Sequence, residues 1–163
     1  MNTAIDRVSE RRSLLSIGIL FFVFGFFTWL NSILIPYFRI ICEIGWFEAF
    51  LVTAAFYISY FLLAIPSALL LERISLIRGI LIGLGLIILG SLIFIPAAIY
   101  RSFPIFLIGL FLQGAGLTLM QTASNLYVTL LGSIESAAKR ISIMGIANKI
   151  AGALGGLILG GVL

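Results

Sequence analysis

Five long stretches of this sequence carry no charged side chain, or a single one, and together they fill nearly all of it. They run from Ser13 to Phe38, Ala49 to Leu71, Gly79 to Tyr100, Ser102 to Ile134 and Ile141 to Leu163, the last interrupted only by Lys149. A helix needs roughly 20 apolar residues to cross the ~30 Å hydrocarbon slab, and each stretch is long enough. Inside hydrocarbon the backbone must bond to itself, which leaves helices or a closed barrel. Barrel strands alternate apolar and polar residues, and these stretches do not. Hydrophobic residues make up 62% of the chain and charged ones 10%, more apolar surface than a water-soluble domain of this size needs. The expected fold class is all-α: a polytopic membrane protein with a short segment at 1–12 and a transmembrane bundle over 13–163. Its spans are expected near 13–38, 47–71, 79–100, 103–131 and 141–163.

The residue inventory excludes several kinds of chemistry. Histidine is absent and Cys42 stands alone, so a disulfide framework, a zinc site and histidine acid–base catalysis are not expected. No span interior holds Asp or Glu and no Ser sits beside a base, so the chain is not expected to be an enzyme or to need a metal or cofactor. The net charge of +4 comes from residues flanking the spans, which argues for topology and against nucleic acid. Arg11 and Arg12 precede an apolar run longer than a signal h-region, with no small-x-small cleavage site, so an uncleaved first span is expected. Arg7, Arg11, Arg12, Arg73, Arg78, Lys139 and Arg140 fall in one set of alternate loops, against Arg39 and Arg101 in the other. The positive-inside bias predicts a multi-pass protein of the cell (inner or plasma) membrane with a cytoplasmic N-terminus.

Local signals refine the spans. Pro36 closes the first, Pro96 falls near the end of the third, and Pro104 suits the first turn of the fourth. Pro66 predicts a bend inside the second. The third span has Ser91 as its only hydroxyl before Tyr100 and is expected to face lipid. Polar residues of the others recur at helical spacing: Thr28, Asn31 and Ser32; Thr53, Tyr57 and Tyr60; Thr118, Gln121, Thr122, Asn125 and Thr129; and Asn148 with Lys149. Such residues serve either as interhelical glue or as the lining of a solute cavity. Gly152, Gly156 and Gly160 make two overlapping small-xxx-small steps for close helix packing. They are not a phosphate loop, since no strand precedes them and no Gly-Lys-Ser/Thr ends them. Lys149 admits three accounts: a side chain snorkelling to the cytoplasmic interface, a cavity cation for an anionic group, or a tolerated lesion.

Around these stripes the sequence resembles the fucose permease and glucose/galactose transporter branch of the major facilitator superfamily. The resemblance rests on Leu30-Asn31-Ser32-Ile33-Leu34-Ile35-Pro36, Ala55-Phe56-Tyr57 through Tyr60-Phe61, Ile65-Pro66 and Gly116-Leu117-Thr118. Most specific is Gln121-Thr122-Ala123-Ser124-Asn125 running into Tyr127-Val128-Thr129-Leu130-Leu131-Gly132, followed by Glu135-Ser136-Ala137-Ala138, Arg140 and Asn148. The resemblance implies a proton-linked sugar permease of two six-helix halves rocking about a central site, of which this chain corresponds to spans one to five. Its partners would be a small sugar (a hexose or deoxyhexose), the lipid bilayer, and the missing carboxy-terminal half or another membrane subunit. The resemblance assigns sugar contact to Asn31, Gln121, Asn125 and Asn148, whose amides both donate and accept hydrogen bonds. Thr28, Ser32, Tyr57, Thr118, Thr122 and Lys149 are further candidates for cavity lining. Trp29 either stacks on a sugar face or sits against lipid.

Departures from the family pattern carry their own expectations. Family members commonly have aspartate where Ser32 stands, and a serine does not exchange protons near neutral pH, so coupling through this position is expected to be lost. Gln121 matches the glucose/galactose members; the fucose permease has glutamate there. Leu126 replaces a family proline, and Ala68 and Ser75 replace glycines. Glu72, Arg73 and Arg78 form either a gating cluster or a solvated loop that sets topology. The competing function is a five-span scaffold or interaction protein that packs through the glycine-rich last helix.

Overall fold

The computed structural model describes residues 12–29, 45–131 and 133–162. Among these residues there are five helices and no strand. They are α1 (Arg12–Trp29), α2 (Trp46–Arg73), α3 (Leu76–Ile99), α4 (Phe103–Leu130) and α5 (Ala137–Val162), with a 3₁₀ turn at Ile134–Ser136 before α5. Helices α2 to α5 hold 24 to 28 residues each, roughly 36–42 Å at 1.5 Å per residue. All five are long and apolar enough to cross a membrane.

Helix ends depart from the charge-free stretches for a simple reason. Charge limits what sits in hydrocarbon, whereas capping groups decide where a helix starts. Helix α3 begins at Leu76, before Arg78, because Ser75 Oγ accepts the Arg78 N–H at 3.3 Å as an N-cap. Helix α5 begins at Ala137 and takes Lys139 and Arg140 into its first turn. At α2 the Gly45 N–H donates to Glu48 Oε2 at 2.6 Å; this is half a capping box, since glycine has no side chain to return the bond. Helix α3 ends in a Schellman motif: Ser102 N–H bonds Ala97 O at 3.0 Å, Arg101 N–H bonds Ala98 O at 3.3 Å, and Arg101 takes φ 47°. Helix α2 is continuous through Pro66, whose missing N–H leaves the Leu62 carbonyl without its usual helical partner.

The chain divides into two compact units. One contains α2, α3 and α4 up to Ala123; the other contains α1, the rest of α4 and α5.

In the first unit, α3 and α4 run antiparallel and touch backbone to backbone at two points. A methyl placed on Gly83 would stand 2.7 Å from Gly116 O, and one on Gly90 would stand 2.6 Å from Gly109 O. The glycines on each helix are seven residues apart, two helical turns, so they fall on one line. Beside the Gly90–Gly109 crossing Gln113 Nε2 donates to Ser91 Oγ at 2.8 Å, and Ser91 Oγ in turn donates to Ile87 O. Thus α3 does not face lipid on all sides. Gly79, Ile80, Gly83, Ile87, Gly90 and Ala97 are buried, while Leu81, Ile88, Leu89 and Ile95 are exposed. Counting hydroxyls missed this seam because apolar helices associate by close approach of small residues, without polar groups. On the other side of α4, Gly114 lies directly against Ser59 and the Phe56 carbonyl of α2.

Candidate functional site

Three of the four amides expected to face a sugar are described. Gln121, Asn125 and Asn148 are all half-buried. Asn31 and Ser32 lie outside the described residues.

On α4 the threonine hydroxyls are tied to their own helix. Thr118 Oγ1 donates to Gly114 O at 2.7 Å, Thr122 Oγ1 to Thr118 O at 2.8 Å, and Thr129 Oγ1 to Asn125 O at 2.9 Å. A hydroxyl whose proton is spent this way still offers lone pairs. Thr122 and Thr129 are half-exposed and can therefore accept, while the neighbouring amides supply both donor and acceptor. Thr118 differs, with only 4% of its surface exposed. The close packing of Gly114 against α2 brings that turn into the interior, so Thr118 is part of the packing and lines no open surface within its unit. Tyr57 is exposed and packs edge-on to Phe56, with ring centroids 5.4 Å apart. Thr28, on α1, bonds Phe24 O at 2.7 Å. Glu72 and Arg73 close α2, and Arg78 lies in the first turn of α3; all three are exposed.

In the second unit α1 and α5 run parallel. Gly18 faces Met144, Gly25 lies on the backbone of Asn148, and Phe26 and Trp29 reach Gly155 and Gly152. Asn148 Nδ2 donates to Phe21 O at 3.3 Å, so one amide donor is used across this seam. Gly152 and Gly155 spend their smoothness on α1, inside the chain, where Trp29 lies directly on Gly152. Lys149 stands at the midpoint of α5, and its Nζ lies 5.6 Å from the centroid of the Trp29 ring. That ring is at the level of Gly152, further along α5, so the ammonium is not drawn back toward the Lys139 end as a snorkelling side chain would be. A cation–π contact, worth about 0.5–2 kcal/mol, offsets part of the cost of the central charge. Trp29 therefore takes up Lys149 and Gly152, a role that sequence did not single out for it.

Arg140 carries more structure than its loop position suggested. It is 6% exposed, and its guanidinium gathers the end of α4. Nε donates to Val128 O at 3.1 Å, one terminal nitrogen donates to Thr129 O at 3.2 Å and Ser133 O at 3.1 Å, and the other donates to Ser136 Oγ. The Val128 and Thr129 carbonyls lie in the last turn of α4, where the helix supplies no donor and carries the negative pole of its dipole, so a cation suits them; Ser133 O also accepts from the Ser136 N–H at 3.2 Å. The sequence signal was a basic residue shortly after a long helix, which also fits a topology signal.

No family model matches the chain. The glucose/galactose transporter of Brucella abortus is 40% identical over 138 residues, 85% of this chain and 34% of the relative. The L-fucose–proton symporter of Escherichia coli is 38% identical over 141 residues, 86% of this chain and 32% of the relative. The crystal structure of the E. coli fucose:proton symporter superposes with a TM-score of 0.79 at 33% identity, covering 91% of this chain and 35% of that one. The chain thus spans about a third of the length of the curated relatives it matches. With this likeness in sequence and in fold, the chain is homologous to part of the glucose/galactose and fucose–proton transporter group of the major facilitator superfamily.

Proposed function

We propose that the chain is the amino-terminal, sugar-contacting part of a permease for a hexose or deoxyhexose and is not an enzyme. It sits in the cell membrane with its N-terminus in the cytoplasm and works with a second, opposing half, on the same polypeptide or another. The observation that carries this reading is the 40% identity to a glucose/galactose transporter over 85% of the chain. The basic residues on one set of loops support the orientation.

In this reading Gln121 and Asn125 bridge vicinal hydroxyls of the sugar, while Thr122 and Thr129 accept from them. Asn31 and Asn148 add further contacts, and Glu72, Arg73 and Arg78 form a gating cluster between α2 and α3. Thr28, Ser32, Tyr57 and Lys149 are further candidates for contact with the solute. Ser32 takes no part in proton exchange, so transport runs down the sugar gradient unless another group supplies coupling. Packing of Gly152 and Gly155 against α1 gives part of the glycine-rich face of α5 a partner inside the chain, which favours the permease over a scaffold.

Alternating access needs two halves, so the 163 residues alone are expected to give no saturable hexose uptake in proteoliposomes. Co-expression with the remaining two thirds of the Brucella transporter is expected to restore saturable uptake. Uptake by the chain alone, or none from an assembled and membrane-inserted complex, would overturn the proposal.

A further inference from the structure

A groove of about 410 Å³ opens along the α1–α5 seam, within the roughly 300–1,000 Å³ range of small-ligand clefts. Its walls include Gly18, Ile19 and Phe22 of α1 and Ile143 and Ala147 of α5. Arg140 also borders it, but its guanidinium is engaged with the end of α4, so the stem is what it contributes to the wall. The groove lies away from Lys149. Asn148 points at α1, and Ala147 and Lys149 stand about 100° to either side of it.

We propose that this groove binds one acyl chain of an anionic phospholipid whose phosphate is held by Arg12 and Lys139. An apolar wall offers a sugar no hydrogen-bond partner and asks none of a hydrocarbon chain. Because α1 and α5 are parallel, they begin at the same end, and there Arg12 and Lys139 are both exposed, on the helix faces of the groove-lining Leu15 and Ile143 at i+3 and i+4. Glu135, in the 3₁₀ turn, is the sole acidic side chain of this unit among the described residues. A second copy related by an axis normal to the membrane would bring these like charges together, whereas an anionic headgroup complements them. Basic pockets between membrane helices bind phosphate headgroups, and each Lys or Arg near an anionic surface is worth about five-fold in affinity.

The test is native mass spectrometry of the delipidated 163-residue chain titrated with dioleoyl phosphatidylglycerol or dioleoyl phosphatidylcholine. One phosphatidylglycerol is expected to bind at least about five-fold more tightly than phosphatidylcholine. The double variant Arg12→Gln/Lys139→Gln is expected to erase this preference and keep the weaker binding common to both lipids. Gly18→Leu is expected to abolish discrete binding of either lipid; a methyl at Gly18 meets only Met144 Sδ at 3.8 Å, so the side chain enters the groove without striking backbone. If Gly18→Leu fails to fold by circular dichroism, Ala147→Phe fills the groove from the other wall. Equal binding of the two lipids by the unmodified chain, or a preference that survives both the charge and the filling variants, would overturn the proposal. So would displacement of lipid by a second copy of the chain.

Discussion

Gly116→Leu is expected to destabilise the protein by more than about 3 kcal/mol, the largest effect of any single substitution considered. Even a methyl at this position would stand 2.5 Å from Gly83 O and 2.9 Å from side-chain atoms of Leu86 and Ile87. The obstacle is a backbone carbonyl, which no rotamer change removes, so α3 and α4 must separate. Overpacking a close-packed interior costs about 1–3 kcal/mol even when side chains can yield. Separation also lengthens the Gln113–Ser91 hydrogen bond beside the Gly90–Gly109 crossing. Gly116→Ala should fall in the lower range and Gly116→Leu above it. Gly85→Leu is the control: nothing lies within 4 Å of a methyl there, so the same change should be neutral or slightly stabilising through better helix propensity. Thermal unfolding midpoints in detergent measure the series. A Gly116→Leu protein as stable as Gly85→Leu would show that the helices do not meet at these glycines.

The second large effect is expected at Arg140. Arg140→Met keeps the aliphatic stem and removes the donors to Val128 O and Thr129 O, whereas Ser133 O keeps the Ser136 N–H. A buried acceptor left without a partner costs about 1–3 kcal/mol, so two of them give an expected loss of about 2 kcal/mol or more. Arg140→Lys should recover only part of it. An ammonium keeps the charge that suits the helix end but cannot spread donors over three carbonyls as the planar guanidinium does. Unfolding midpoints of the two variants check this, and a loss below about 1 kcal/mol for Arg140→Met would contradict the capping role. Arg140 as a topology signal alone predicts something different: a charge-retaining lysine would then be fully equivalent.

These two sites mark where sequence reading reached its limit. The five apolar stretches identified five helices, because hydrocarbon leaves the backbone few alternatives. They did not locate the helix starts at Leu76 and Ala137, since Arg78, Lys139 and Arg140 are helical but outside the apolar slab. The glycines of α5 were legible as packing residues, but their partner was not. Nothing in the spacing of Gly152 and Gly155 points to Trp29 and Phe26, some 120 residues earlier. Conversely, Gly83 and Gly90 with Gly109 and Gly116 carried a visible seven-residue signal that was masked by the expectation that a helix poor in hydroxyls faces lipid. At the candidate site, residue type told which side chains have sugar-binding chemistry. It did not tell that Thr118 would be packed away or that Asn148 would bond to α1. Lys149 was recognisable as costly, and its aromatic partner emerged only when α1 was laid beside α5.

The central claim, that the amides of α4 touch the transported sugar, is tested most directly by hexose uptake in the complex restored with the remaining two thirds of the Brucella transporter. Gln121→Ala and Asn125→Ala are each expected to lower the apparent affinity for sugar roughly ten-fold, the loss of one well-made hydrogen bond in a shielded site, with the amount of complex in the membrane unchanged. Uptake that keeps its affinity in both variants would contradict the claim.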